Sequence, residues 1–390
     1  MKYNFEKVIN RKNTESLKWD INEDVLPLWV ADMDFEVAPE IKAALEKRLS
    51  LSVYGYTITP DKWYEAYQRF YLQRHGLTIE KDELLFSTGV VPTISSAVRA
   101  FTKEGDHVVV LPPVYNIFYN SIRNNNRVIH EVPLLLEDGK YFIDWKGLEE
   151  AFALENTKMV IFCNPGSPVS RIWSKEELAA LGALARKYDV TVLSDEIHGE
   201  ITRPGTSYVP YLTASKENYK NSLTAISVTK AFNLAGIQTS AIIAKDPVIN
   251  QKINRQLKTD EVAEGNFFSY DAAIAALNEG REWLDELRKV LFDNRDEVKS
   301  FLEEHVPEVS LISGDATYLL WIDCSLLTED SDDLIEHLKN NGLLLSSGKS
   351  YGTGGNGFVR MNVACPKKTL REALSRFEQG IHSYHRKDSL

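Results

Sequence analysis

Cysteine is scarce in this chain of 390 residues: Cys163, Cys324 and Cys365 are the only three. They lie far apart and lack the paired spacing of a metal site, so no metal is expected, and reduced thiols in a cytoplasmic protein are the simplest account. No apolar run approaches the ~20 residues that span a bilayer. Residues 1–20 mix charged and apolar positions and do not read as a secretory signal. Basic runs longer than a few residues are missing, and the formal net charge is -11. Nucleic acid is therefore not an expected partner. There is no internal repeat and no low-complexity tract. With 43% hydrophobic and 26% charged residues, the chain has the material for large cores. Its length predicts two or three lobes.

Along the chain, residues 1–45 form a lead-in whose Leu28-Trp29-Val30-Ala31-Asp32-Met33-Asp34-Phe35 is too rich in aromatics and acids for a mere linker. Pro39 opens a helical pattern, Tyr54-Gly55-Tyr56-Thr57 reads as a turn exposing two tyrosines, and a helix over 61–75 ends at Gly76. From residue 83 strands and helices alternate. Strands are expected at 84–87, 107–111, 128–134, 159–163, 190–194, 223–228 and 241–244. Helices read after Pro92 and at 116–123, 145–153 and 175–188. Such alternation predicts an α/β fold with a mostly parallel sheet covered on both faces. The pattern turns helical after Asp246. A smaller α+β set follows, with strands at 309–312, 318–322, 343–345 and 358–363 and helices starting at Ser331 and Lys367.

Six sites carry candidate chemistry. Ser227-Val228-Thr229-Lys230-Ala231-Phe232-Asn233-Leu234-Ala235-Gly236 follows an apolar strand, so Lys230 is expected in a loop at a strand exit, where α/β sheets place their chemistry. Taken alone, it also suits a solvated loop lysine. Ser194-Asp195-Glu196-Ile197-His198 ends another apolar strand in acids, suiting a cofactor's ring nitrogen, an ATPase magnesium, or simple capping. The ATPase reading needs a phosphate loop. Gly342 to Lys349 has five residues between its glycines where four are wanted, and it lies in the other lobe. Ser87-Thr88-Gly89-Val90-Val91-Pro92 joins strand to helix as an anion cup. Tyr115 sits at another strand exit, as does Asn164-Pro165-Gly166-Ser167-Pro168. Arg360, inside an apolar strand, needs a planar anion such as a carboxylate.

Together these pieces resemble the fold-type I pyridoxal phosphate enzymes. The tryptophan–acid motif at 29–35, Gly89-Val90-Val91-Pro92, Ser194-Asp195-Glu196-Ile197-His198 and the Lys230 motif are similar, more narrowly, to the cystathionine β-lyase (C–S lyase) group often called MalY/PatB. The resemblance implies a large cofactor-binding α/β domain with a seven-stranded sheet over residues 46–284. It also implies a small α+β domain built from 1–45 and 285–390. In that pattern Lys230 binds the cofactor covalently and, once freed, shuttles the α-proton. Asp195 pairs with the pyridine nitrogen, with His198 beside it. Val90 and Val91 amides and the Ser227 hydroxyl hold the phosphate, Tyr115 stacks on the ring, and Asn164 and Ser167 lie beside it. Tyr56 reaches the phosphate or substrate of the neighbouring subunit in an obligate homodimer. Arg360 takes the substrate carboxylate, helped by backbone near Ala31. Ser167 stands where the family has an asparagine, and Ser170 where it has a glycine. Gln238 stands where many aminotransferases have a phosphate-binding arginine. The expected reaction is β-elimination from cystathionine or another cysteine S-conjugate, giving thiol, pyruvate and ammonia. An aminotransferase and a cofactor-holding regulatory protein are the alternatives.

Overall fold

The computed structural model describes residues 2–387. Seven strands form the central sheet, in the spatial order Leu84–Ser87, Ser240–Ile243, Ser222–Ile226, Thr191–Asp195, Thr157–Cys163, His107–Val110 and Val128–Glu131. All are parallel except Ser240–Ile243, which pairs antiparallel with both of its neighbours. Side chains alternate between two cores, as the strand repeat demands. Val108, Val110, Ile161, Leu193 and Leu223 enter one core, under the helices Val90–Phe101 and Pro247–Thr259. Val109, Val160, Phe162, Val192 and Ile226 enter the other. Both faces are buried, which explains why these strands read as continuous apolar runs rather than alternating ones.

The second sheet is antiparallel, ordered Ser310–Leu311, Leu319–Asp323, Phe358–Asn362 and Ser346–Ser347. Ser331–Asn340 and Lys367–Lys387 are its helices. The lead-in joins this part: Leu26–Pro27 pairs in parallel with Leu343–Leu344. Helix Arg281–His305 runs unbroken through the expected division at 284/285, along its buried Trp283, Leu287, Leu291 and Val298.

Two local expectations need correction. The strand expected over 128–134 stops at Glu131, and a short hairpin, Leu135–Glu137 with Lys140–Phe142, follows. The stretch before the lysine leaves the sheet at Ile226, because the Ser227 hydroxyl accepts from the Thr229 amide at 3.1 Å and starts a four-residue helix, Val228–Ala231. Lys230 therefore sits on a helical turn and not in an open loop.

Candidate active site

Sheet register brings the site together. Cys163 pairs with Asp195, and Asp195 with Ala225, so three adjacent parallel strands end at one level. Beyond them opens a cavity of about 330 Å³. Lys230, Asp195, His198 and Tyr115 line it, with Val90, Val91 and Ser167; Arg360 and Ala31 close it from the second sheet and the lead-in. It lies at the carboxyl ends of the strands, where open α/β sheets bind their ligands.

Lys230 donates from Nζ to the Ala31 carbonyl at 2.6 Å. Burial lowers its pKa to about 8, and the nearby Arg360 cation pushes the same way against Asp32 and Asp195. Asp195 is buried, and its Oδ1 accepts from the Ile197 amide at 3.1 Å. Burial lifts its pKa to about 7, although that amide and Lys230 pull downward. A carboxyl so placed gains from a cationic N–H partner. His198 is pushed down to about 3, by burial first and then by Lys230 and Arg360, so its ring is neutral. Its Nδ1 has no partner among the described residues.

Helix Val90–Phe101 begins at Gly89 without a side-chain cap. The amides of Val90 and Val91 thus have no intrahelical acceptor, and Pro92 offers no donor. With the positive end of the helix dipole they form an anion cradle. Thr88, Gln238 and Thr239 complete this end of the cavity.

Arg360 lies on strand Phe358–Asn362, opposite Trp321 and Ser346. Its Nη2 donates to the Trp29 carbonyl at 2.7 Å, while Nε has no partner. The guanidinium is buried, with Nη2 also 3.4 Å from Ser346 Oγ and Cζ 5.1 Å from the centroid of the Tyr351 ring, and it makes no ion pair among the described residues. A buried, unpaired guanidinium calls for a carboxylate or phosphate from outside the chain.

Ser227 and Asn164, expected at the site, do not line this cavity, and Tyr56, expected there from a neighbouring subunit, stands on the surface of the single chain. The Ser227 hydroxyl is spent on capping Thr229 and on the Thr239 carbonyl, to which it donates at 2.7 Å. Asn164 turns its amide away, to Glu196 Oε1 at 3.2 Å and the Val209 carbonyl at 2.9 Å. Tyr56 is fully exposed within the chain. Conversely, Tyr318 and Thr239 stand at this site with nothing in the sequence to mark them for it. Tyr318 donates to the Ala31 carbonyl at 3.1 Å and lies edge-on to His198. Among the described residues no cluster of side chains could hold a metal ion.

The sequence model of the aminotransferase class I and II family matches residues 23–377. Cystathionine beta-lyase PatB of Bacillus subtilis is 38% identical over 385 residues, covering 97% of this chain and 100% of the other. Among solved structures, cystalysin from Treponema denticola, which contains a pyridoxal 5'-phosphate cofactor, superposes with a TM-score of 0.95 at 34% identity. That match covers 98% of this chain and 100% of the other. The PLP-bound C-S lyase from Staphylococcus hominis superposes with a TM-score of 0.92 at 30% identity, covering 98% of each chain.

Proposed function

This chain belongs to the aminotransferase class I and II family, and from that premise we propose that it is a pyridoxal phosphate-dependent carbon–sulfur β-lyase. Its substrates are cystathionine and related cysteine S-conjugates; its products are a thiol, pyruvate and ammonia. The observation that carries this is the meeting, in one cavity, of a lysine with a lowered pKa, a buried carboxyl and an unpaired buried arginine. The same three residues stand in a chain aligned end to end with a relative named as this lyase.

The residues present fit the cofactor. An uncapped helix start provides for its phosphate, Tyr115 for its ring face, Asp195 for its ring nitrogen and Lys230 for its aldehyde. When bound, pyridoxal phosphate supplies the electron sink that an α-carbanion needs. Lys230 Nζ is the attachment point and, when free, carries the proton taken from the substrate's α-carbon. A pKa of about 8 leaves a useful fraction of that amine neutral at physiological pH. Arg360 grips the substrate carboxylate through its planar fork and so fixes the direction of the Cα–H bond. His198, held neutral, lines the cavity without adding a charge that would compete for the Asp195 carboxyl.

We place the active form as a homodimer. Leu49, Leu51, Val53, Tyr54, Tyr56 and Ile58 are all exposed within the single chain, an apolar concentration that favours a partner surface. Tyr56 would then reach the partner's cavity. Domains over 46–284 and over 1–45 with 285–390 fit the two sheets, and the three free, buried cysteines suit a cytoplasmic setting.

The test is incubation of the cofactor-loaded protein with cystathionine, reading thiol and pyruvate. Release of both is expected. Amino-group transfer to an α-keto acid without thiol would make the chain an aminotransferase. Absence of either reaction with the cofactor bound would leave a non-catalytic role.

A further inference from the structure

Residues 29–35 run past the two basic side chains of the cavity, Lys230 and Arg360, and their carbonyls are divided among distinct donors. The Asn362 side chain donates both amide hydrogens, to Val30 O and Asp32 O at 2.6 Å each. Its Oδ1 accepts from the Ala364 amide at 2.8 Å. The Asn233 side chain does likewise one step along, donating to Met33 O at 3.1 Å and Phe35 O at 2.9 Å, while its Oδ1 accepts from Met33 N at 3.0 Å. Between the two carbonyls gripped by Asn362 lies that of Ala31, which is left for Lys230 Nζ at 2.6 Å and the Tyr318 hydroxyl at 3.1 Å. The Trp29 carbonyl, one step earlier, accepts from Arg360 Nη2 at 2.7 Å.

Asn233 follows Lys230 by three residues, and Asn362 follows Arg360 by two. Each charged group is therefore carried beside an asparagine that locks onto the same segment. Asn233 holds a left-handed backbone, φ 56°, a conformation asparagine tolerates better than most residues. We propose that Asn362 and Asn233 are positioning residues for the lyase reaction, setting Lys230 and Arg360 in register by fixing the carbonyls of residues 29–35. This rests on the reading of the cavity as a cofactor-dependent lyase site. Neither asparagine touches substrate in this account; both act through Ala31 and Trp29. Small misplacements of reacting groups cost up to about 100-fold in rate, so geometry of this kind is felt in turnover.

The experiment uses cofactor-loaded Asn362→Ser and Asn233→Ser, with Asn294→Ala as the control. Asn294 clamps neighbouring backbone in the same manner, donating to Val363 O and Cys365 O at 2.9 Å each, but makes no bond to residues 29–35. The pH midpoint of the bound cofactor's visible band reports on the Lys230 nitrogen. It is expected to shift in both serine variants, because residues 29–35 would no longer be fixed beside Lys230. A fall in kcat of about 10- to 100-fold is expected alongside. Asn294→Ala should lower Tm and leave the midpoint in place. If the midpoint stays in place and kcat stays within twofold of the parent in the serine variants, or both shift equally in Asn294→Ala, the inference is overturned. Should one serine variant fail to fold, the other carries the test. The midpoint does not depend on which substrate is used: a shift in a protein that releases no thiol would uphold the positioning role and defeat the lyase reading.

Discussion

Lys230 Nζ and the carbonyl oxygen of Ala31 lie 2.6 Å apart across 199 positions of sequence. The helical turn that carries Lys230 is thus registered against the lead-in, and the lead-in in turn against the strand of Arg360.

Lys230→Ala removes the attachment point and the proton carrier together. The visible absorbance of the purified protein should disappear, and thiol release should fall by at least about 10² to 10⁴-fold. Absorbance spectra and a thiol assay read both. A variant that keeps the band would detach Lys230 from the cofactor.

Arg360→Ala should lower kcat/KM for cystathionine by about 2–5 kcal/mol, that is, ~30- to 5,000-fold, chiefly through KM. Arg360→Lys should recover little, since an ammonium does not reproduce the planar fork. Steady-state kinetics over a wide substrate range decide it.

Glu196, beside Asp195, is buried. Its Oε1 accepts from the Tyr211 amide at 2.7 Å and from Ser194 at 2.9 Å. Burial raises its pKa to about 7 from 4.5. The native state therefore binds more protons than the unfolded chain between those values. Its stabilising share is complete below pH 4.5 and is lost as pH rises through about 7. Glu196→Gln should flatten the decline of Tm between pH 5 and pH 8, as scanning calorimetry at stepped pH would show. An unchanged slope would mean that other groups set it.

Lys18 is almost wholly buried, 2.8 Å from Asp34 Oδ2 and 3.6 Å from Asp32 Oδ1. Lys18→Met should destabilise the protein by about 3 kcal/mol, the low end for a broken buried pair, because Arg11 still serves both acids. A Tm lower by several degrees is the expected reading.

Val53→Asp with Ile58→Asp should convert the proposed dimer to monomer and lower activity, both side chains being exposed within the single chain. Sedimentation velocity checks the mass. A monomeric parent protein would remove the dimer from the account.

Much of this was legible beforehand, for identifiable reasons. Strands buried on both faces, such as Thr191–Asp195, show as unbroken apolar runs, and their ends fall within a residue or two of those expected. Lys230, Asp195, Tyr115 and Arg360 mark themselves by being charged or polar where apolar runs end or pass. Short polar side chains do not. Ser227 and Asn164 sit at the expected places, but each has taken a local backbone or carboxylate partner in preference to the cavity. The hairpin at 135–142 was missed because Leu135–Glu137 is exposed and leaves no burial pattern to read. The acids of the lead-in were noticed, yet their pairing with Arg11 and Lys18 depends on a fold-back that spacing does not reveal.

Asn362 grips Val30 and Asp32 across 332 and 330 positions of sequence. Those carbonyls can be set only after the strand that carries Asn362 has been synthesised, so the site is completed later than the central sheet. A translation product that stops before that strand lacks the side chain that holds them.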